Sequence, residues 1–168
     1  MYSGIMIDTD NFMTKTGVRT FEAAAFLRRN GANVTRVRKL FREDATEYKA
    51  KADAVSQAEI YKKSFAISTC SSEDIQSPTI VGAQAANELL NIKGVKASFV
   101  LTEYQNKIFV SARSIDEVNV QVIMERMGGG GHLNAAGCQL SGASIFEGIG
   151  AVKGTLDKMI AEGDLVVE

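Results

Sequence analysis

The chain has 168 residues, 45% of them hydrophobic and 23% charged, with a formal net charge of −1. That is globular composition, long enough for one domain or two small ones, and folding at this length buries roughly 70% of the unfolded chain's surface. It excludes a disordered chain, no apolar run approaches the roughly 20 residues of a membrane-spanning helix, and no overall positive field recommends a polyanionic partner.

Gly4 to Ile7 is short, almost wholly apolar and ends at Asp8. The run predicts a strand buried on both faces, as in a parallel sheet. Such a strand needs a neighbour on each side, yet the residues that follow read as helical, so the chain is expected to be a piece of a larger fold. Its unpaired edges could also add to the sheet of a second copy, and a homodimer is expected. The start has neither the basic segment nor the apolar segment of a signal peptide. Helices are expected over Thr20–Arg29, with Phe21, Ala24 and Leu27 on one face, and over Val34–Glu43, capped by Asn33. A third is expected over Ala45–Lys62, with Asp44 and Glu47 as a capping-box-like start and Tyr48, Ala52, Val55 and Glu59 at near-heptad spacing. It reads as a connector between two lobes. Arg28, Arg29, Arg36, Arg38, Lys39 and Arg42 follow one another without an acid. They read first as a solvated helix face and second as a nucleotide or polyanion contact.

After residue 62 the pattern changes. Phe65–Cys70 predicts a strand, Ser77 and Pro78 start a helix that ends before Gly94, and Val95–Thr102 with Ile108–Ser114 predicts a hairpin around Gln105-Asn106. Asp116 is expected to cap a helix over Val118–Met127. The glycine run follows, then a strand over Ala135–Leu140 and an amphipathic helix over Ile145–Ala161. The fold class is α/β: a helical N-terminal connector over residues 1–62, then a compact α/β domain with a mixed sheet over residues 63–168. Cys70 and Cys138 lie far apart without clustered ligands, and read as buried thiols in a reducing cytosol.

The segment "ERMGGGGHLNAAGCQL" carries four consecutive glycines, Gly128 to Gly131, and the chain's one histidine, His132. It is no Rossmann fingerprint, because Leu133 stands where the third glycine would be and a helix precedes it, and no P-loop, because no Gly-Lys-Ser/Thr follows. Successive glycines can turn several backbone N–H groups toward one anion, with His132 beside them as a further donor. The competing reading is a strained turn from helix into strand. Arg113, at the end of its strand and one helix away, would complete a phosphate clamp or serve as a surface ion pair. Arg19 is a weaker phosphate candidate. One histidine is too few for a dinuclear metal centre, with Asp8 and Asp10 of "DTD" the nearest approach to a ligand pair, and no GxSxG elbow supports a hydrolytic triad.

"GIMIDTDNF", "KTGVRTFEAAAFLRRNGANV", "VSARS" and "MGGGGHLNAAG", in this order, resemble the DHH phosphoesterase superfamily. Most similar is the C-terminal part of its GdpP (YybT)-type cyclic di-AMP phosphodiesterases, and the resemblance covers nearly the whole chain. It implies a DHH catalytic lobe holding two manganese ions (Mn2+) and a DHH-associated lobe that grips a cyclic dinucleotide, which opens to the linear dinucleotide pApA. Asp8 matches the last metal-ligand aspartate. Arg113, Gly128, Gly129, Gly130, Gly131 and His132 match the substrate-gripping positions. The DHH triplet and the other metal ligands are absent from the chain, so the resemblance implies a cytoplasmic piece of a membrane-anchored parent, without membrane contact of its own and inactive alone. The competing expectation is a single-stranded nucleic-acid-binding domain, as in RecJ-type exonucleases, oligoribonucleases and alanyl-tRNA synthetases. Neither the pI near 5.9 nor the sparse aromatics favour it.

Overall fold

The computed structural model describes residues 1–13, 15–115 and 117–166. The chain divides into two compact units, Met1–Glu43 and Asp44–Glu168.

The first unit holds three helices, α1 (Tyr2–Asp8), α2 (Val18–Arg29) and α3 (Val34–Leu40). The expected strand at Gly4–Ile7 is instead part of α1. Among the described residues of this unit no strand lies beside it, and a lone strand would leave its backbone groups without ladder partners. They close locally: the Ile5 N–H donates to Met1 O at 3.1 Å, and the Thr9 N–H and hydroxyl both donate to Ile5 O. The strand edge that was to pair with a second copy is therefore not present. Asn33 caps α3 as expected, its side chain accepting from the Arg36 N–H at 3.0 Å.

The second unit opens with α4 (Ala45–Ser56), whose cap Asp44 accepts from the Thr46 N–H at 2.8 Å. The helix expected to run to Lys62 stops here. Gln57 donates its side-chain amide to Thr69 O at 2.8 Å, and β1 (Glu59–Tyr61) turns through Lys62 and Lys63, both at positive φ, into β2 (Phe65–Cys70). Two left-handed residues are the signature of a tight hairpin. A parallel crossover through α5 (Pro78–Leu89) leads to β3 (Ala97–Tyr104). β3 and β4 (Lys107–Ser114) are joined by Gln105 and Asn106, again both at positive φ. Then come α6 (Val120–Arg126), β5 (Gly130–His132), β6 (Ala135–Ser141) and α7 (Ile145–Glu162). Asp116 lies outside the described residues. The cap of α6 is Asn119, whose side chain accepts from the N–H groups of Gln121 and Val122.

The six strands form one mixed sheet in the order β1-β2-β3-β4-β6-β5, antiparallel except for β2 and β3. Strand alternation sends Phe99, Leu101, Ile108, Val110, Ala136 and Cys138 to one face, where Ile123 and Met124 of α6 and Val152, Leu156 and Met159 of α7 bury them. Ala66, Cys70 and Val100 go to the other face, under Ala50 and Ala54 of α4 and Val81, Ala85 and Leu89 of α5. The α4/α5 layer covers β2 and β3 and reaches part of β4. The β4-β6-β5 side of that same face is the region of interest.

Candidate functional site

Register fixes which side chains share this face. Arg113 on β4 is paired with Ala135 on β6, and Ala135 with His132 on β5. Directly opposed residues point the same way, so Arg113 and His132 stand on one face, two strands or about 10 Å apart, with only an alanine methyl between them. The next row on that face is Ser111, Gly137 and Gly130, and the third is Phe109 and Gln139. Ser111, Phe109, Gly137, Gln139, Gly128, Gly129 and Thr79 from the first turn of α5 line an open groove of about 480 Å³.

Arg113 is half-buried. Its Nη1 donates to its own strand's Ala112 O at 2.9 Å, and among the described residues no carboxylate pairs with it. Burial pulls its guanidinium down from the ordinary value, a penalty that a bound anion would relieve. His132 is exposed on the edge strand. Cys138, beneath the groove, is buried and its thiol is pushed up to about 11, so it stays protonated and inert.

The glycines divide by role. Gly128, at φ 82°, ends α6: its N–H donates to Glu125 O at 3.0 Å and that of Gly129 to Met124 O at 2.8 Å, the Schellman pattern. Those two donors are thus spent inside the chain, and the four glycines do not form one four-donor cradle. A Cβ on Gly129 would collide with Gly137 O and Cys138, and one on Gly131 would lie 2.5 Å from Ala135 O. Gly130 differs, because a Cβ there meets nothing within 4 Å and its φ is not left-handed. No contact inside the chain demands glycine at that position, and open space lies where its side chain would be. The sequence singles out Arg113, the glycines and His132 but not Phe109 and Gln139, which only the β4–β6 register places side by side.

Asp8 ends α1 in the other unit, exposed, on a pocket shared with Arg19 and Glu22. Among the described residues no group of three or more His, Cys, Asp and Glu side chains could hold a metal ion. Asp8 and Asp10 alone do not fit a two-ion centre.

The DHHA1 domain family matches residues 62–161. The chain is 45% identical over 148 residues to the cyclic-di-AMP phosphodiesterase PdeA of Listeria monocytogenes, covering 88% of this chain and 22% of that protein. It is 38% identical over 165 residues to the cyclic-di-AMP phosphodiesterase GdpP of Bacillus subtilis, covering 97% of this chain and 25% of that protein. The chain thus spans about a quarter of the length of these relatives. A crystal structure of an exopolyphosphatase-related protein from Bacteroides fragilis superposes with a TM-score of 0.82 over 92% of this chain and 48% of that one, at 22% identity, a likeness of fold. Among the described residues no helix is long and apolar enough to cross a membrane.

Proposed function

The chain belongs to the DHHA1 domain family, and on that premise we propose that the β4-β6-β5 face grips the phosphodiester of a cyclic di-adenosine dinucleotide or of its linear product, as one part of a phosphodiesterase. The similarity to PdeA and GdpP supports the substrate class. The observation that carries the reading is the shared row of Arg113 and His132 next to Gly130, the one glycine of the run that neither a close contact nor a left-handed φ demands.

In this reading the Arg113 guanidinium donates two parallel hydrogen bonds to the non-bridging phosphate oxygens, the geometry in which arginine exceeds lysine. His132 supplies a donor from the opposite side, and the missing Cβ of Gly130 lets the sugar-phosphate chain approach the sheet. The contribution of this chain is binding and orientation. Manganese-dependent hydrolysis needs ligands that its described residues do not supply, so the chain with Mn2+ alone is expected not to open cyclic di-AMP.

The test is an equilibrium titration of the chain with pApA and cyclic di-AMP, repeated with Arg113→Ala and Arg113→Lys. A hydrogen-bonded charge lost from the site predicts a roughly 10- to 100-fold loss of affinity for Arg113→Ala, with Arg113→Lys recovering only part of it. Affinity unchanged by Arg113→Ala would overturn the reading, and tight, steeply salt-dependent capture of an oligonucleotide in preference to pApA would favour the single-stranded nucleic-acid alternative.

A further inference from the structure

The third row of the same face holds a residue pair that the phosphate clamp does not use. Phe109 on β4 is only half-buried although both its strand neighbours, Ile108 and Val110, lie deep in the core. Its ring lines the groove and leans on Tyr104, with ring centroids 6.4 Å apart at 50°. Gln139, directly across on β6, is exposed and also lines the groove. Between this row and the Arg113 row lie Ser111, Gly137 and Gly130, which raise no bulk from the sheet. Phe109 is four residues from Arg113 along β4, about 13 Å of strand, a separation that phosphate, ribose and base laid along the strand can bridge once the arginine side chain reaches toward it.

We propose that Phe109 and Gln139 form the base subsite of this face, with Phe109 the stacking platform and Gln139 the side chain that selects adenine. The inference rests on the phosphate-gripping reading above. An aromatic face stacks any base, so Phe109 supplies affinity without choice. A carboxamide presents one donor and one acceptor side by side, the complement of the N7 acceptor and N6 amino group of adenine. Guanine offers two acceptors there, O6 and N7, and leaves the amide oxygen of Gln139 facing another oxygen. The small residues between the two rows form the floor over which the ribose lies.

The experiment titrates the 168-residue chain with pApA, pGpG and ribose 5-phosphate, for wild type, Phe109→Leu, Phe109→Tyr, Gln139→Ala and Arg113→Ala, with circular dichroism confirming the fold of each. Phe109→Leu keeps an apolar neighbour for Tyr104 but removes the π-face. It is expected to weaken pApA binding roughly 5- to 100-fold while leaving ribose 5-phosphate unchanged, and Phe109→Tyr is expected to restore it. Gln139→Ala is expected to bring the affinities for pApA and pGpG within about twofold of each other. If Arg113→Ala weakens pApA but the Phe109 and Gln139 variants change neither affinity nor base preference, the base subsite is overturned and the phosphate-gripping reading stands. If pApA fails to bind, or binds without regard to Arg113, both fall.

Discussion

At the scale of single residues, the glycine run separates structural from functional demand. Gly131 sits at φ 149° against the backbone of Ala135 and Ala136, whereas Gly130 has ordinary backbone geometry and open space where a Cβ would be. Gly131→Ala is therefore expected to destabilise the protein by about 1–3 kcal/mol in urea unfolding. Gly130→Ala is expected to be neutral or to stabilise by up to about 1 kcal/mol, because alanine narrows the unfolded ensemble at a site it can occupy without strain. The same Gly130→Ala should weaken pApA binding by placing a methyl beside the Arg113–His132 row. Equal stability losses for the two variants would mean that the whole run is only a turn. Arg113 and His132 were legible because arginine at a strand end and histidine after glycines carry chemistry in their residue types. Phe109 and Gln139 carry none until pairing places them side by side, since a phenylalanine in a strand reads as core.

At the scale of elements, legibility followed length and local signals. α5 was marked by Ser77-Pro78, the β3–β4 hairpin by Gln105-Asn106 and α7 by its apolar stripe, and each stands where those residues put it. The three-residue strands were not legible. β1 and β5 are three residues each, and β5 is Gly-Gly-His, with no intrinsic strand preference. It is extended because β6 supplies the ladder. α1 was misread because an apolar run shorter than two helical turns has no period to show. α7 offers a check of the cap. The Glu147 N–H donates to Ser144 Oγ at 3.2 Å, and the Glu147 carboxylate accepts from the Ser144 N–H at 2.7 Å. The Ser144 N–H and, at 2.8 Å, the Ser144 hydroxyl both donate to the carboxylate and hold it below its ordinary value, so their contribution is present above the ordinary carboxylate range and is lost as pH falls through the lowered value. Ser144→Ala is expected to cost about 1 kcal/mol at pH 7, with the gap to wild type narrowing toward pH 3 in urea titrations. A gap independent of pH would remove the bond from the Ser144 hydroxyl to the carboxylate, since the Ser144 N–H survives the substitution.

At the scale of the whole molecule, the described parts of the two units differ in how much apolar surface they bury. Within Met1–Glu43 only Thr9 and Ala24 are buried, and Ile7, Val18, Phe21, Phe26 and Leu40 are exposed. Asp44–Glu168 has a core on both faces of its sheet, clamped at one edge by Lys153–Glu59 at 2.8 Å and by the Tyr61 hydroxyl donating to Asp157 at 2.8 Å. Arg126, the arginine just before the glycine run, is held by Glu162 and Asp164. With a net charge of −1, attraction of a phosphate to this protein is local rather than global, which calls for a ligand with few phosphates and a shallow salt dependence. Amide chemical-shift mapping of the 15N-labelled chain during titration with pApA shows whether this ligand lies on the β4-β6-β5 face. Saturable shifts concentrated on Gly128–His132, Phe109, Ser111, Arg113 and Gln139 are expected. Shifts centred instead on α6 and α7, or no saturable shift at all, would contradict that placement.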